Sequence, residues 1–264
     1  MPTADDYLAA YDAQLRIEAA SALTVERLGP LHLATYPNGR GWITYTSLEG
    51  ADAATIRGWV TAALDHFRRN HEIRRVEWKT RGHDVAPGLH EALVDHGFVP
   101  GGTESIMIGE ARLLAVDAPL PEGVTQRIVT SESDVRAMCE MESIAFEEDL
   151  VDEMTPALLH RLSLDDGMEL WVAEADGQIV SAGRLEPVAG TDFAGIWGGA
   201  TLQQWRHRGI YRALTAARAR SALNRGKTLI QSDSTEFSRP ILERSGLVKV
   251  STTTAYEWHR RALR

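Results

Sequence analysis

"TLQQWRHRGIYRAL", Thr201 to Leu214, gathers positive charge around one glycine in a chain whose formal net charge is −9. The residues before it, Asp192–Leu202, read as a strand, and Ile210–Arg225 reads as a helix closed by Gly226. A strand, a polar loop and a helix in that order leave the unpaired N–H groups of the first helical turn facing the loop. The positive end of the helix dipole faces it too, and together they suit an anion. Gly209 lets the main chain approach a ligand closely, and Arg206, His207, Arg208 and Arg212 add charge and donors. The combination fits a pyrophosphate. The same charges could equally flank a solvated helix start, and charge alone does not separate the two. Downstream, Ala213, Ala216, Ala217, Ala219 and Ala222 would let the helix pack closely on a sheet. Neither G-x-x-x-x-G-K-[ST] nor G-x-G-x-x-G is present, so the familiar nucleotide loops are excluded.

Outward from that loop, Ser133 or Asp134 can cap a helix running to about Phe146, and Thr155-Pro156 can open a second. "ELWVAEADGQIVSAGRLEP" reads as a hairpin turning at Asp176-Gly177. "KTLIQS" is a short buried strand, Arg239–Ser245 a helix ended by Gly246, and two more strands follow. Toward the N-terminus, Pro119, Pro121 and Gly123 mark a linker, which divides the chain into residues 1–117 and 123–264. Ahead of it, Asn38-Gly39 turns a hairpin, Ala51–Asn70 is an amphipathic helix, Arg75–Lys79 a strand, Pro87–His96 a helix and Ser105–Ile108 a strand. "LVDHGFV" at 93–99 and "LERSGLV" at 242–248 share a helix that stops at glycine and enters a strand. That repeat points to a duplicated fold with a shortened first copy.

The 264 residues are 44% hydrophobic and 25% charged, ordinary for a globular chain with a real core. The acidic balance argues against nucleic acid as a partner. The one cysteine, Cys139, excludes an internal disulfide and a cysteine-based zinc site, and no spacing suggests a metal. An acidic N-terminus without an apolar core and the lack of a membrane-length apolar run make a cytoplasmic protein the expectation, with no membrane partner.

The order of elements and the run Arg206-His207-Arg208-Gly209-Ile210-Tyr211 resemble the GNAT N-acetyltransferase superfamily, whose coenzyme motif is [QR]-x-x-G-x-[GA]. Tyr211 departs from the motif's last position and would set a bulky side chain beside the phosphates. The resemblance covers roughly Thr125 to Trp258, while residues 28–109 resemble only the latter part of that fold, as in tandem members with a degenerate first copy. It implies an α+β fold with a mixed sheet and an acetyl-CoA donor. Thr201, Leu202, Gln203, Arg206, His207, Arg208, Gly209, Ile210, Tyr211, Arg212, Thr235 and Ser238 would hold that donor, and an N–H near Leu202 would polarise its carbonyl. A small-molecule or peptide amine would attack directly, and oligomeric state is left open. The tyrosine many members use as the acid is Leu242 here, and a familiar asparagine is Thr235. Ser234 could relay the proton, and Glu186 and Asp233 are candidate bases. Glu142 and Glu147 could attract a cationic acceptor, and Trp197 could line its cleft. With Leu242 in the acid's place, a catalytically silent acyl-CoA sensor or scaffold stands as the alternative.

Overall fold

The computed structural model describes residues 2–17 and 19–260. Along the chain come α1 (Ala4–Gln14), β1 (Thr24–Leu28), β2 (Leu31–Tyr36), β3 (Arg40–Tyr45), α2 (Ala53–Arg69), β4 (Arg75–Arg81), α3 (Leu89–Asp95), β5 (Val99–Glu110) and α4 (Ala111–Leu114). Then follow β6 (Val124–Val129), α5 (Glu132–Phe146), α6 (Val151–Ser163), β7 (Glu169–Ala175), β8 (Gln178–Pro187), β9 (Phe193–Thr201), α7 (Ile210–Asn224), β10 (Leu229–Ser234), α8 (Arg239–Arg244) and β11 (Val248–His259).

These elements form two compact units, one of Met1–Ile106, Asp233–Arg239 and Lys249–Arg264, the other of Met107–Ser232 and Pro240–Val248. The division does not fall at the linker expected between residues 117 and 123, and neither unit is one continuous run of chain. Strand pairing is the reason. β11 pairs antiparallel with β4, Thr253 opposite Arg81 and His259 opposite Arg75, and so belongs to the first unit.

In the first unit β1, β2 and β3 form an antiparallel meander, and β4 joins β3 in parallel. Asn38 and Gly39 take left-handed φ values of 64° and 72° in the β2–β3 turn, as that dipeptide favours. Ile56, Val60, Ala63, Leu64 and Phe67 of α2 form a buried stripe at helical spacing, packed with Leu33, Ile43, Trp78 and Leu93. In the second unit β6 to β9 form an antiparallel meander, and β10 joins β9 in parallel. β7 is buried on both sides. Leu170 and Val172 cluster with Met138, Met141 and Leu158 of α5 and α6, while Ala173 and Ala175 cluster with Ile210 and Leu214 of α7. The alanines of α7 are all buried, so its backbone lies close to the sheet.

The repeat seen in the sequence extends to individual hydrogen bonds. Phe98 N–H donates to Leu93 O, and Leu247 N–H to Leu242 O, each at 3.0 Å across a glycine with φ of 88° or 96°. This is the same helix-ending motif twice. Each is followed by one strand of 12 residues where two shorter strands were expected.

Candidate functional site

The parallel ladder between β9 and β10 stops at Gly195 opposite Gln231, yet β9 continues to Thr201. The main chain of Ile196–Thr201 therefore has no strand partner in β10, and β9 also bulges there. Between Ala182↔Ala200 and Arg184↔Trp197 it spends one residue more than β8, at Gly198 and Gly199. Gly198 has φ of 58°, which few side chains accept. An added Cβ on Gly199 would sit 2.6 Å from the Tyr211 ring, so that glycine makes room for the tyrosine.

After β9 a 3-10 turn at Gln203–Trp205 leads into the loop. Trp205 and Arg206 donate their N–H groups to Leu202 O and Gln203 O, and Ala213 N–H donates to Gly209 O. Between them, the amides of His207, Arg208, Gly209, Ile210, Tyr211 and Arg212 donate to nothing among the described residues. His207 and Gly209 both have left-handed φ, 63° and 83°, which turns successive amides into one concavity. Gly209 is the N-cap of α7 and supplies no capping side chain. By contrast, Thr3, Asp52 and Ser131 cap α1, α2 and α5 with their own oxygens. An added Cβ on Gly209 would meet nothing within 4 Å, so the loop is open on that side. A phosphate group fits these donors.

The basic side chains divide their work. Arg206 donates to Thr201 O at 3.0 Å and Ala145 O at 3.3 Å, bracing the loop. Arg208 stacks on Trp205, 4.7 Å from the ring centroid. His207 is exposed, as are Gln203 and Arg212. A cleft of about 450 Å³ between α7 and α8 is lined by Tyr211, Arg212, Thr215, Leu242 and Arg244, with Leu113 closing one side. Two expectations are corrected. The Leu202 N–H cannot polarise a thioester carbonyl, because it donates to Val180 O at 3.0 Å. Alternation along a strand turns the amide of Thr201 the other way, toward the parted side. Tyr211 does not crowd the phosphate loop: its ring lies against Gly199, and its hydroxyl interacts with Arg218.

Other expected residues scatter. Glu186 is ion-paired with Arg161 at 3.0 Å and Arg184 at 3.3 Å. Asp233, paired with Lys79, counts with the first unit, as do the buried Ser234 and the exposed Thr235, 3.4 Å from Ser238. Glu147 is an exposed helix end with φ of 59°. Trp197 lies half-buried over Gly195, and Leu242 is 1% exposed. Glu142 is different: it is fully buried at the bulge, and neither carboxylate oxygen has a hydrogen-bond partner. Burial pushes its pKa up to about 7, with Arg184 and then Arg218 pulling it back. Sequence reasoning missed Arg218, 1% exposed, which donates to Arg184 O, Leu214 O and Thr215 Oγ1 in the space left by Gly183. An arginine in an otherwise alanine-rich helix face was its only signal.

The first unit has a similar parting, already filled. The β3–β4 ladder ends at Ile43 opposite Trp78, and Arg16 bridges beyond it. Its Nε donates to Thr46 O at 3.0 Å, and its carbonyl accepts from Thr44 Oγ1 at 2.6 Å and Arg81 Nη2 at 3.0 Å.

A mixed sheet whose parallel strands β9 and β10 part beside an uncapped helix defines the architecture of the second unit. Residues 135–246 match the Acetyltransferase (GNAT) family, and this stretch is a GNAT domain of the acyltransferase class. The whole chain has the fold of tandem GNAT proteins. A GCN5-related N-acetyltransferase from Kribbella flavida superposes with a TM-score of 0.65 at 18% identity, covering 98% of this chain and 95% of that one. A tandem GNAT protein from the clavulanic acid biosynthesis pathway gives 0.60 at 14%, covering 93% and 86%. A functionally unknown conserved protein from Staphylococcus epidermidis gives 0.67 at 14%, covering 94% and 96%. Comparison with curated proteins yields no match. Among the described residues no group of three His, Cys, Asp or Glu side chains could hold a metal, and no helix is long and apolar enough to cross a membrane.

Proposed function

We propose that the second unit transfers an acetyl group from acetyl-CoA to an amine, which attacks the thioester directly in a ternary complex. The run of unclaimed amides from His207 to Arg212 carries this reading. They would take the diphosphate, with Arg208 and Arg212 as charged neighbours. The cleft between α7 and α8 has polar arginine edges and an apolar floor at Leu242, which suits the pantetheine arm. When bound, the coenzyme supplies the activated acyl group. The chain supplies orientation, and the Thr201 amide is the donor for the carbonyl oxygen. Direct attack is favoured because Cys139 is buried and burial pushes its thiol up, which disfavours a thiolate nucleophile. The acceptor we infer is a small-molecule or peptide amine, met in the cytoplasm, and the net charge of −9 suits a cationic one.

Leu242 favours one second reading, a silent acyl-CoA sensor, since an aliphatic side chain there cannot donate a proton to a leaving thiolate. Calorimetry with acetyl-CoA, run beside CoA-thiol release over a panel of amines, separates the two. Binding with turnover supports the enzyme, and binding without turnover supports the sensor. No heat at millimolar ligand defeats both.

A further inference from the structure

One buried group at the β9 bulge has no hydrogen-bond partner. Glu142 is fully buried with both oxygens bare, an arrangement that costs the fold unless a ligand or a proton completes it. The charged and titratable groups facing it are Arg184 from β8, Arg218 from α7 and Cys139 from its own helix. None satisfies it. Arg184 turns its Nε to Glu186, and Arg218 spends its donors on main-chain carbonyls and Thr215. Gly198 covers the remaining side, and a Cβ added there would sit 3.0 Å from Glu142 Oε1. On that side a half-buried glycine flanks the carboxylate, with Arg184 Nη1 2.9 Å from the same Cβ position, on the stretch of β9 past the end of its ladder with β10.

Resting on the acetyl-transfer reading above, we propose that Glu142 is the proton acceptor of the transfer and that the acceptor enters as a protonated amine drawn to this carboxylate. The ammonium gives one proton to Glu142 Oε1, directly or through one water, and its freed lone pair forms the new N–C bond to the acetyl carbon. The C–S bond breaks and the electron pair leaves on sulfur. The second proton, from the acylated nitrogen, goes to the thiolate, and Glu142 returns its proton to solvent. Ammonium and acetyl-CoA thus yield amide, CoA thiol and one proton. The two flanking guanidinium groups keep the carboxylate ionisable near neutrality without occupying it.

The test uses the full chain, acetyl-CoA, and a panel of an aliphatic diamine, an amino sugar, an amino acid and a short peptide with a free N-terminus. CoA-thiol release is followed across pH, with acetyl-CoA affinity measured by calorimetry. Wild-type kcat/KM is expected to rise with pH and level off above about 7. Glu142→Gln should lose that inflection and ~100-fold or more in kcat, with acetyl-CoA affinity unchanged. A Gln variant with the wild-type profile overturns the proposal alone. A wild type that binds acetyl-CoA but acetylates none of the panel overturns the acetyl-transfer reading in favour of the sensor, and the proposal falls with it. A wild type that binds no acetyl-CoA overturns the reading beneath it. Should Glu142→Gln not fold, Glu142→Asp decides: a lowered kcat with the inflection kept supports the proposal, and wild-type kinetics overturn it.

Discussion

Gly209 combines two properties that a ligand-facing residue needs, a left-handed φ of 83° and empty space where a side chain would be. Gly209→Asp would put a carboxylate among the free amides, mimicking the capping oxygen that α1, α2 and α5 supply themselves. Acetyl-CoA affinity by calorimetry should fall at least ~10-fold, because the new anion competes with the phosphates for the same donors. At Glu142 the consequence is one of stability. Its carboxyl ionises around the ordinary 4.5 in the unfolded chain and at about 7 in the fold. Between those values the folded state holds a proton that the unfolded state has released, so stability falls as pH rises through the window. The loss is on the order of 3 kcal/mol above pH 7. Glu142→Gln cannot ionise and should melt above the wild type at pH 8 and near it at pH 5, as thermal denaturation at the two values will show. The sequence made Gly209 legible because its charged neighbours and the following helix were visible together. It left Glu142 looking like any surface glutamate. Its carboxylate lies against the Gly198 bulge, which no local pattern announces.

Among the elements, the hairpins at Asn38-Gly39 and Asp176-Gly177 were legible because those dipeptides take left-handed φ readily, and both pairs do so here. α7 was legible from its alanines. β6 was not: Pro119, Pro121 and Gly123 precede it, and only Val124 and Val129 are buried, so it lacks alternation. α1 was missed for a related reason, since Tyr7 and Tyr11 are its only buried residues. α6 begins at Val151, ahead of Thr155-Pro156, and Pro156 gives up a helical hydrogen bond in the second turn. α5 begins one turn position before the expected cap, with Ser131 Oγ accepting from Asp134 N–H at 3.2 Å. Ser131→Ala should therefore cost about 1 kcal/mol in chemical denaturation. Gly199→Val should cost more, and shift Tyr211, because its Cβ would meet that ring at 2.6 Å. The displaced tyrosine should show as a change in near-ultraviolet dichroism.

At the scale of the molecule the two units share a plan, but the helix joining the two parallel strands is capped by a side chain in the first and uncapped in the second. In the first, Asp52 caps α2 by accepting from Thr55 N–H at 2.8 Å, and Arg16 occupies the gap where β3 and β4 separate. Calorimetry on the full chain should accordingly give one acetyl-CoA per polypeptide, and a stoichiometry of two would overturn the assignment of the first unit as ligand-free. The sequence showed the duplication through two glycines. It did not show where β11 goes, because strand partners distant in sequence leave no periodic mark.

The placement of β11 beside β4 bears on biosynthesis. While the ribosome works toward residue 248, the edge of β4 waits without its neighbour, and at ~5–20 residues per second the wait is roughly 10 to 30 s. Until β11 arrives the nascent first half carries a bare strand edge, and a stop codon placed before Val248 would leave that edge permanently unpaired by β11.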